Sequence, residues 1–343
     1  NNFMNLDQAI ARTTAMMNLS GNQQKQVYES LIKTATNYFL TSTASMKDIA
    51  TAMENMARAG YSTSDIVANL GTVMNVHQAT LANTKTVTET LNGLYLIFGN
   101  TIDNVRTKHE KIKYIADLVT YAFAKEKLDV ESLRQSLSYL SGLSSSLNID
   151  LKTLVLTLGF LSTRMIEGKR AGLDLLDAFS NIARNSEKLR DIGIFFDPRK
   201  PLDFYNVLSQ LHKKFQETGG SLSYVSDIVD VFGKKGADAI LMILNNWDDF
   251  NKSIKVSSYE FEDFAHKVKE QSEITIGAAL EKLKRAITTP VYPELTKGTN
   301  LVAEGISKWA DNIINAEKEL KMLLSITDLI SDKEMKIKIT PEG

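Results

Sequence analysis

Met165-Ile166-Glu167-Gly168-Lys169-Arg170-Ala171-Gly172-Leu173-Asp174-Leu175-Leu176 follows an apolar run at 151–161 and precedes Leu189-Arg190-Asp191-Ile192-Gly193-Ile194-Phe195-Phe196-Asp197. The run before it sets Leu151, Leu154, Val155, Leu158 and Leu161 at helical spacing, and Asp150 stands where a carboxylate satisfies the free amides of a helix start. Beyond Gly172, the residues Leu173, Leu176, Phe179 and Ile182 resume the same period. The stretch therefore reads as a helix end, a glycine-bounded loop and a new helix. Gly168 and Gly172 serve backbone conformation and close helix approach, with no ligand chemistry. Similar joints recur on both sides. Together they predict an all-α protein, a multi-helix domain of consecutive helical hairpins with short glycine-bounded joints.

Toward the N-terminus, Phe3, Leu6, Ile10 and Met17 predict a helix over 3–20 that ends at Ser20-Gly21, and Val27, Leu31, Ala35 and Tyr38 predict the next. Ser45 with Asp48, and Ser62 with Asp65, have the form of capping boxes. The first opens a stripe of Ile49, Met53 and Met56 stopped by Gly60; the second opens Ile66, Leu70, Val73 and Met74. Val87, Leu91, Leu94 and Phe98 end at Gly99, and Ile112, Ile115, Val119 and Ala122 follow. Asp129 caps Leu133, Leu137 and Leu140, with a turn expected at Gly142 and the serines after it. Residues 45–74 and 129–161 share this order at an offset of 84 to 85 residues, a degenerate internal repeat without a short solenoid period. No sustained heptads occur.

Toward the C-terminus, Pro198 and Pro201 mark a loop over 195–201. Helices then carry Val207, Leu208, Leu211 and Phe215, and Val225, Ile228, Val229 and Phe232, before a four-residue joint, Gly233-Lys234-Lys235-Gly236. From residue 250 charges become dense, and a stripe of Phe264, Val268, Ile276, Leu280, Leu283 and Ile287 continues. Residues 294–329 keep a helical period through Leu301, Ile306, Trp309 and Ile313; the last eleven residues read as a frayed end or a short strand through Met335, Ile337 and Ile339. The expected organisation is N-terminal helices at 1–40, a core helical domain at 41–250, and a charged helical extension at 251–343 that leads into a longer region.

The 343 residues are 43% hydrophobic, enough for one large or two ordinary domains. A formal net charge of −1 argues against nucleic-acid binding through a basic surface. The absence of cysteine removes disulfides and thiolate metal sites. The first residues show neither a signal peptide nor an initiator methionine, so the chain is expected to be a piece of a longer one. No apolar run reaches the roughly 18 residues of a membrane span. Only 13 charged residues fall in the first 105, about half the chain average. That marks either a helical layer with a neutral polar surface or a face that meets copies of itself or a neutral wall.

Catalytic motifs are missing: no nucleophile elbow, phosphate loop, paired-histidine zinc motif or dinucleotide fingerprint occurs. The histidines His77, His109, His212 and His266 lie far apart without ligand spacing. Glu29-Ser30 and Glu131-Ser132 each match the Glu-Ser pair of lytic transglycosylases, but sit in ordinary helical stripes without the rest of that motif. Met46, Met53, Met56 and Met74 read as core rather than an adaptable binding surface. Trp247 and Trp309 read as packing anchors, and Lys282, Lys284 and Arg285, alternating with acids, as a solvated face. The sequence thus offers no catalytic, cofactor-binding or metal-ligating set.

The order of the joints carries a resemblance. Met56-Ala57-Arg58-Ala59-Gly60-Tyr61-Ser62, the helix end at Phe98-Gly99, the capped hairpin at 130–161, Gly168-Lys169-Arg170-Ala171-Gly172-Leu173, Leu189-Arg190-Asp191-Ile192-Gly193-Ile194 with Asp197, and Phe232-Gly233-Lys234-Lys235-Gly236-Ala237 follow one another as in the core domain of the tail tape measure proteins of long-tailed bacteriophages. The chain resembles that family over roughly 40–245. It departs in being richer in Thr, Asn and Lys and in its 198–201 loop. The resemblance implies a non-enzymatic virion protein of the tail lumen or tail tip, present in the host cytoplasm during assembly. It implies roles in tail assembly, length determination and genome delivery. It also implies a homo-oligomer that contacts tail tube, tail tip and assembly chaperone proteins, with no small-molecule substrate, no specific nucleic-acid binding and no membrane span here. Its structural joints are Gly60, Gly99, Gly168, Gly172, Gly193, Phe232, Gly233 and Gly236. Two other readings compete: a helical adaptor or secreted effector that binds a protein partner, and a cell-wall hydrolase module.

Overall fold

The computed structural model describes residues 2–17, 19–102, 107–197 and 199–275, with residues 278, 281, 282 and 285. Among these there is no strand, and the fold is all-α. Helices α1 (Asn2–Met16), α3 (Met46–Arg58), α5 (Thr84–Phe98), α7 (Val130–Ser146) and α9 (Gly168–Arg184) lie side by side in one row, followed by α12 (Leu222–Asn245). Helices α2 (Gly21–Thr41), α4 (Thr63–Thr80), α6 (Lys108–Glu126) and α8 (Leu151–Ser162) form a second row against it, continued by α13 (Trp247–Ile254). The short α10 (Ser186–Asp191) and α11 (Phe204–Glu217) intervene between α9 and α12. The last two, α14 (Ser258–Phe261) and α15 (Phe264–Glu273), return onto α6, and α15 also reaches α4.

This is a stack of helical hairpins, each too small to bury its apolar face alone. Successive members of the first row begin at residues 2, 46, 84, 130 and 168, intervals of 44, 38, 46 and 38. The sequence offset of 84 between Met46 and Val130 is therefore two hairpins rather than one. The single-hairpin period is hidden because the intervals alternate in length.

The anticipated caps are present. Ser45 accepts from the Asp48 amide at 3.1 Å and Ser62 from the Asp65 amide at 3.1 Å. Asp129 accepts from the amides of Glu131 and Ser132, and Asp150 from that of Thr153. Three boundaries differ from expectation. Ser20 caps α2 instead of ending α1, which stops at Met16. Gly142 breaks nothing: α7 runs through it to Ser146, because its open surface position needs no special backbone. At 233–236 only Gly233 leaves helical conformation, so the joint is a kink within α12.

One continuous core joins both rows. Met46, Met53, Met56 and Met74 are all buried in it. Phe160 of α8 meets Phe250 of α13 edge-on at 5.2 Å, and Phe179 of α9 meets Phe204 of α11 at 4.8 Å. Trp247 packs as expected, stacked on His212 at 4.6 Å. Arg285 is not on a solvated face; it is buried against the α2–α3 turn. Trp309, the 294–329 helical reading and the 333–343 strand reading lie outside the described residues.

Candidate functional site

The joints read from sequence divide by what their backbone does. Gly60 and Gly193 both adopt φ +84° and close α3 and α10 by the same pattern. The amide after each glycine bonds a carbonyl five residues back, Tyr61 to Met56 at 3.0 Å and Ile194 to Leu189 at 2.8 Å. Gly99 ends α5 in a right-handed conformation. The others converge on α9, although 64 residues separate Gly172 from Gly236 (236 − 172).

Helix α9 lies between α7 and α12 and touches each through a glycine. A Cβ on Gly172 would stand 2.8 Å from the Ser136 carbonyl oxygen and 2.9 Å from its Cα. A Cβ on Gly236 would stand 2.7 Å from the Ala178 nitrogen. Both clashes are with backbone, so no side chain can swing away. Ser136 Oγ also donates to the Gly168 carbonyl at 2.7 Å, fixing the first turn of α9 on α7.

The kink at Gly233 (φ +71°) interrupts the helical bonds of α12, and α9 supplies substitutes. Asn181 Nδ2 donates to the Phe232 carbonyl at 2.9 Å and Asn185 Nδ2 to the Val231 carbonyl at 2.8 Å. The Gly236 amide donates to Asp177 Oδ2 at 3.3 Å. A buried peptide group left without a partner would cost about 1–3 kcal/mol, so these contacts are what permits the kink. Sequence reading missed Asp177, Asn181 and Asn185. Their signal was a polar residue every fourth position along one edge of α9.

Over this junction the two basic joints meet. Lys169 and Arg170 from α9 and Lys234 and Lys235 from α12 rim an open groove of about 830 Å³. Leu173, Val229, Ala237 and Leu241 line it. Arg170 bridges the helices, 2.5 Å from Asp238 and 3.6 Å from Asp174. Asp174 is buried, and burial pushes its carboxyl above the usual range against the pull of Arg170.

A family model described as phage-related minor tail protein matches residues 33–233, from α2 to the Gly233 kink and well over half of the chain. The chain belongs to the phage-related minor tail protein family. Its setting is accordingly the bacteriophage tail. The tape measure protein of Pneumococcus phage Dp-1 is 23% identical over 193 residues, which is 55% of this chain. The chain spans 15% of the length of that relative. No solved structure matches.

The glutamates and histidines that sequence reading weighed for chemistry stay apart from one another in this family member, and His212 is stacked on Trp247. Glu131 sits on α7 in an ion pair with Arg134 at 2.6 Å, which holds its carboxyl well down, at about 2. A carboxylate so stabilised is ionised at neutral pH and has no proton to give a glycosidic oxygen, the reverse of what a general acid needs. Glu29 is exposed on α2. His77 bonds the Ala82 carbonyl, His109 meets Asn69, and His266 meets Glu270. Among the described residues no three His, Asp or Glu side chains are grouped to hold a metal, and no helix is long and apolar enough to cross a membrane.

Proposed function

We propose that this chain is the hairpin-stack segment of a tape measure protein, acting without catalysis in tail assembly, length determination and genome delivery. The likeness to the Dp-1 tape measure protein supports this reading most directly. In this reading the ruler is an extended helical region elsewhere in the full protein. The stack is a compact station for contacts with tail tube, tail tip and assembly chaperone proteins. It resides in the tail lumen or at the tail tip, and in the host cytoplasm while tails are built. It self-associates, because a tail has rotational symmetry and closed cyclic assembly is its usual consequence.

Gold-labelled antibody raised against the purified chain is expected to mark tails in opened virions. Labelling confined to the capsid, or to the lysate without particles, would rule the proposal out. The hydrolase alternative is addressed by Glu131→Ala. The unsubstituted chain is expected to release no soluble fragments from purified peptidoglycan. The substitution is expected to change stability by under about 1 kcal/mol, the range of an exposed ion pair. Fragment release that vanishes with Glu131→Ala would reverse that conclusion.

A further inference from the structure

We infer that the groove between α9 and α12 is a docking site for an acidic amphipathic helix of a partner protein. The groove joins two features that a single ligand of this kind satisfies. Its floor is apolar, and it continues past the groove mouth along α12. Val229 is 38% exposed, and Leu222, two turns earlier on the same face, is 89% exposed. Its rim is basic in excess. Arg170 is already matched by Asp174 and Asp238, whereas Lys234 and Lys235 form no ion pair among the described residues. Lys169 meets the Tyr139 ring at 5.9 Å.

An apolar stripe laid along Leu222, Val229 and the groove floor, flanked by carboxylates facing the lysines, is the helix-in-groove mode of recognition. Charge complementarity of this kind sets partner choice and weakens with salt. Duplex DNA would use the lysines but leave the apolar track uncovered. A second copy of this chain would need an acidic apolar stripe of its own. The acidic helix uses both halves of the surface. The inference does not depend on the tape measure reading, since it rests on this surface alone.

The probe is a fluorescein-labelled synthetic 18-residue helix with leucine at every third or fourth position and glutamate elsewhere, beside a twin with lysine for glutamate. Fluorescence anisotropy at low salt is expected to show binding of the glutamate helix and not of the lysine helix. Lys234→Glu with Lys235→Glu is expected to weaken it at least about tenfold, and Val229→Ser to weaken it at unchanged salt dependence. Both variants are exposed and are expected to melt with the unsubstituted chain. Four results would overturn the inference. They are equal binding of both helices, binding of neither, tighter binding of a 20-base-pair duplex than of the glutamate helix, and concentration-dependent self-association that the lysine substitutions abolish.

Discussion

Gly172→Val is expected to destabilise the chain by about 3 kcal/mol or more, and to leave much of it unfolded at 37 °C. The reason is where the added atoms would go. The first of them would already lie 2.8 Å from a backbone carbonyl of α7, on a helix that is also held from its other side by α12 through Gly236. Relief on one side drives α9 into the other. Gly142 provides the internal control. It too lies within a helix of the same row, but nothing stands within 4 Å of its missing Cβ. Gly142→Ala is therefore expected to be neutral or to stabilise by up to about 1 kcal/mol through helix propensity alone. Circular-dichroism melts of the two variants side by side separate an effect of contact from an effect of glycine as such. Equal melting curves would remove the close approach from the account of the fold.

Glu273→Ala is expected to cost on the order of 3 kcal/mol at pH 7. The Glu273 side chain is 4% exposed and accepts from Lys282 at 2.8 Å, Lys269 at 3.0 Å, the Thr43 amide at 2.9 Å and the Thr43 hydroxyl at 3.0 Å. Removing it strands a buried lysine, which is where the large penalty of a broken buried pair arises. Nearby, Arg285 donates to the carbonyls of Ser42, Thr43 and Ala44, so two opposite charges, Glu273 at the end of α15 and Arg285, meet the α2–α3 turn. Burial alone would push the Glu273 carboxyl up, but Lys282, the Thr43 amide and Lys269 more than offset it and hold it at about 2, below the ordinary 4.5. A depressed carboxyl stabilises the fold fully above its unfolded value and loses that contribution as pH falls through the folded one. The stability gap between the unsubstituted chain and Glu273→Gln is therefore expected to be constant above about pH 5 and to close as pH falls toward 2. Urea titrations at stepped pH measure it, and a gap that widens on acidification would contradict the assigned sign.

The features legible in the sequence were those made by neighbours in the chain. Ser45, Ser62, Asp129 and Asp150 could be read as caps because the amides they bind lie within three residues. Helix periods were legible for the same reason. Thr107 with Glu110 carried the same capping signal and caps α6, but went unread. Ends at Leu81 and Lys127 escaped because both take left-handed conformations that sequence reasoning reserves for glycine. What depended on distant residues was hidden. The two-row stack needs each helix to find partners about 40 residues away, and its alternating intervals blur the repeat. The burial of Lys269, Glu273 and Arg285 could not be seen in a run whose composition is that of a solvated helix. At the candidate site the glycines were visible, and backbone conformation and close approach were expected of Gly168 and Gly172, but the helix each one meets was not. Gly168 and Gly233 share a positive φ, whereas Gly172 and Gly236 are helical and are required by contact. Asp177, Asn181 and Asn185 acquire meaning only when the Gly233 kink is placed beside them.

We propose that this chain serves the phage tail through an intact stack of hairpins rather than through a reaction. This is tested most directly by electron microscopy of lysates from phage carrying Gly172→Val or Glu131→Ala in this gene. Normal tails are expected to be lost with Gly172→Val, whereas with Glu131→Ala tails are expected to form at the usual length and to infect. Normal, infective tails with Gly172→Val, or well-formed tails that fail to infect with Glu131→Ala, would contradict it.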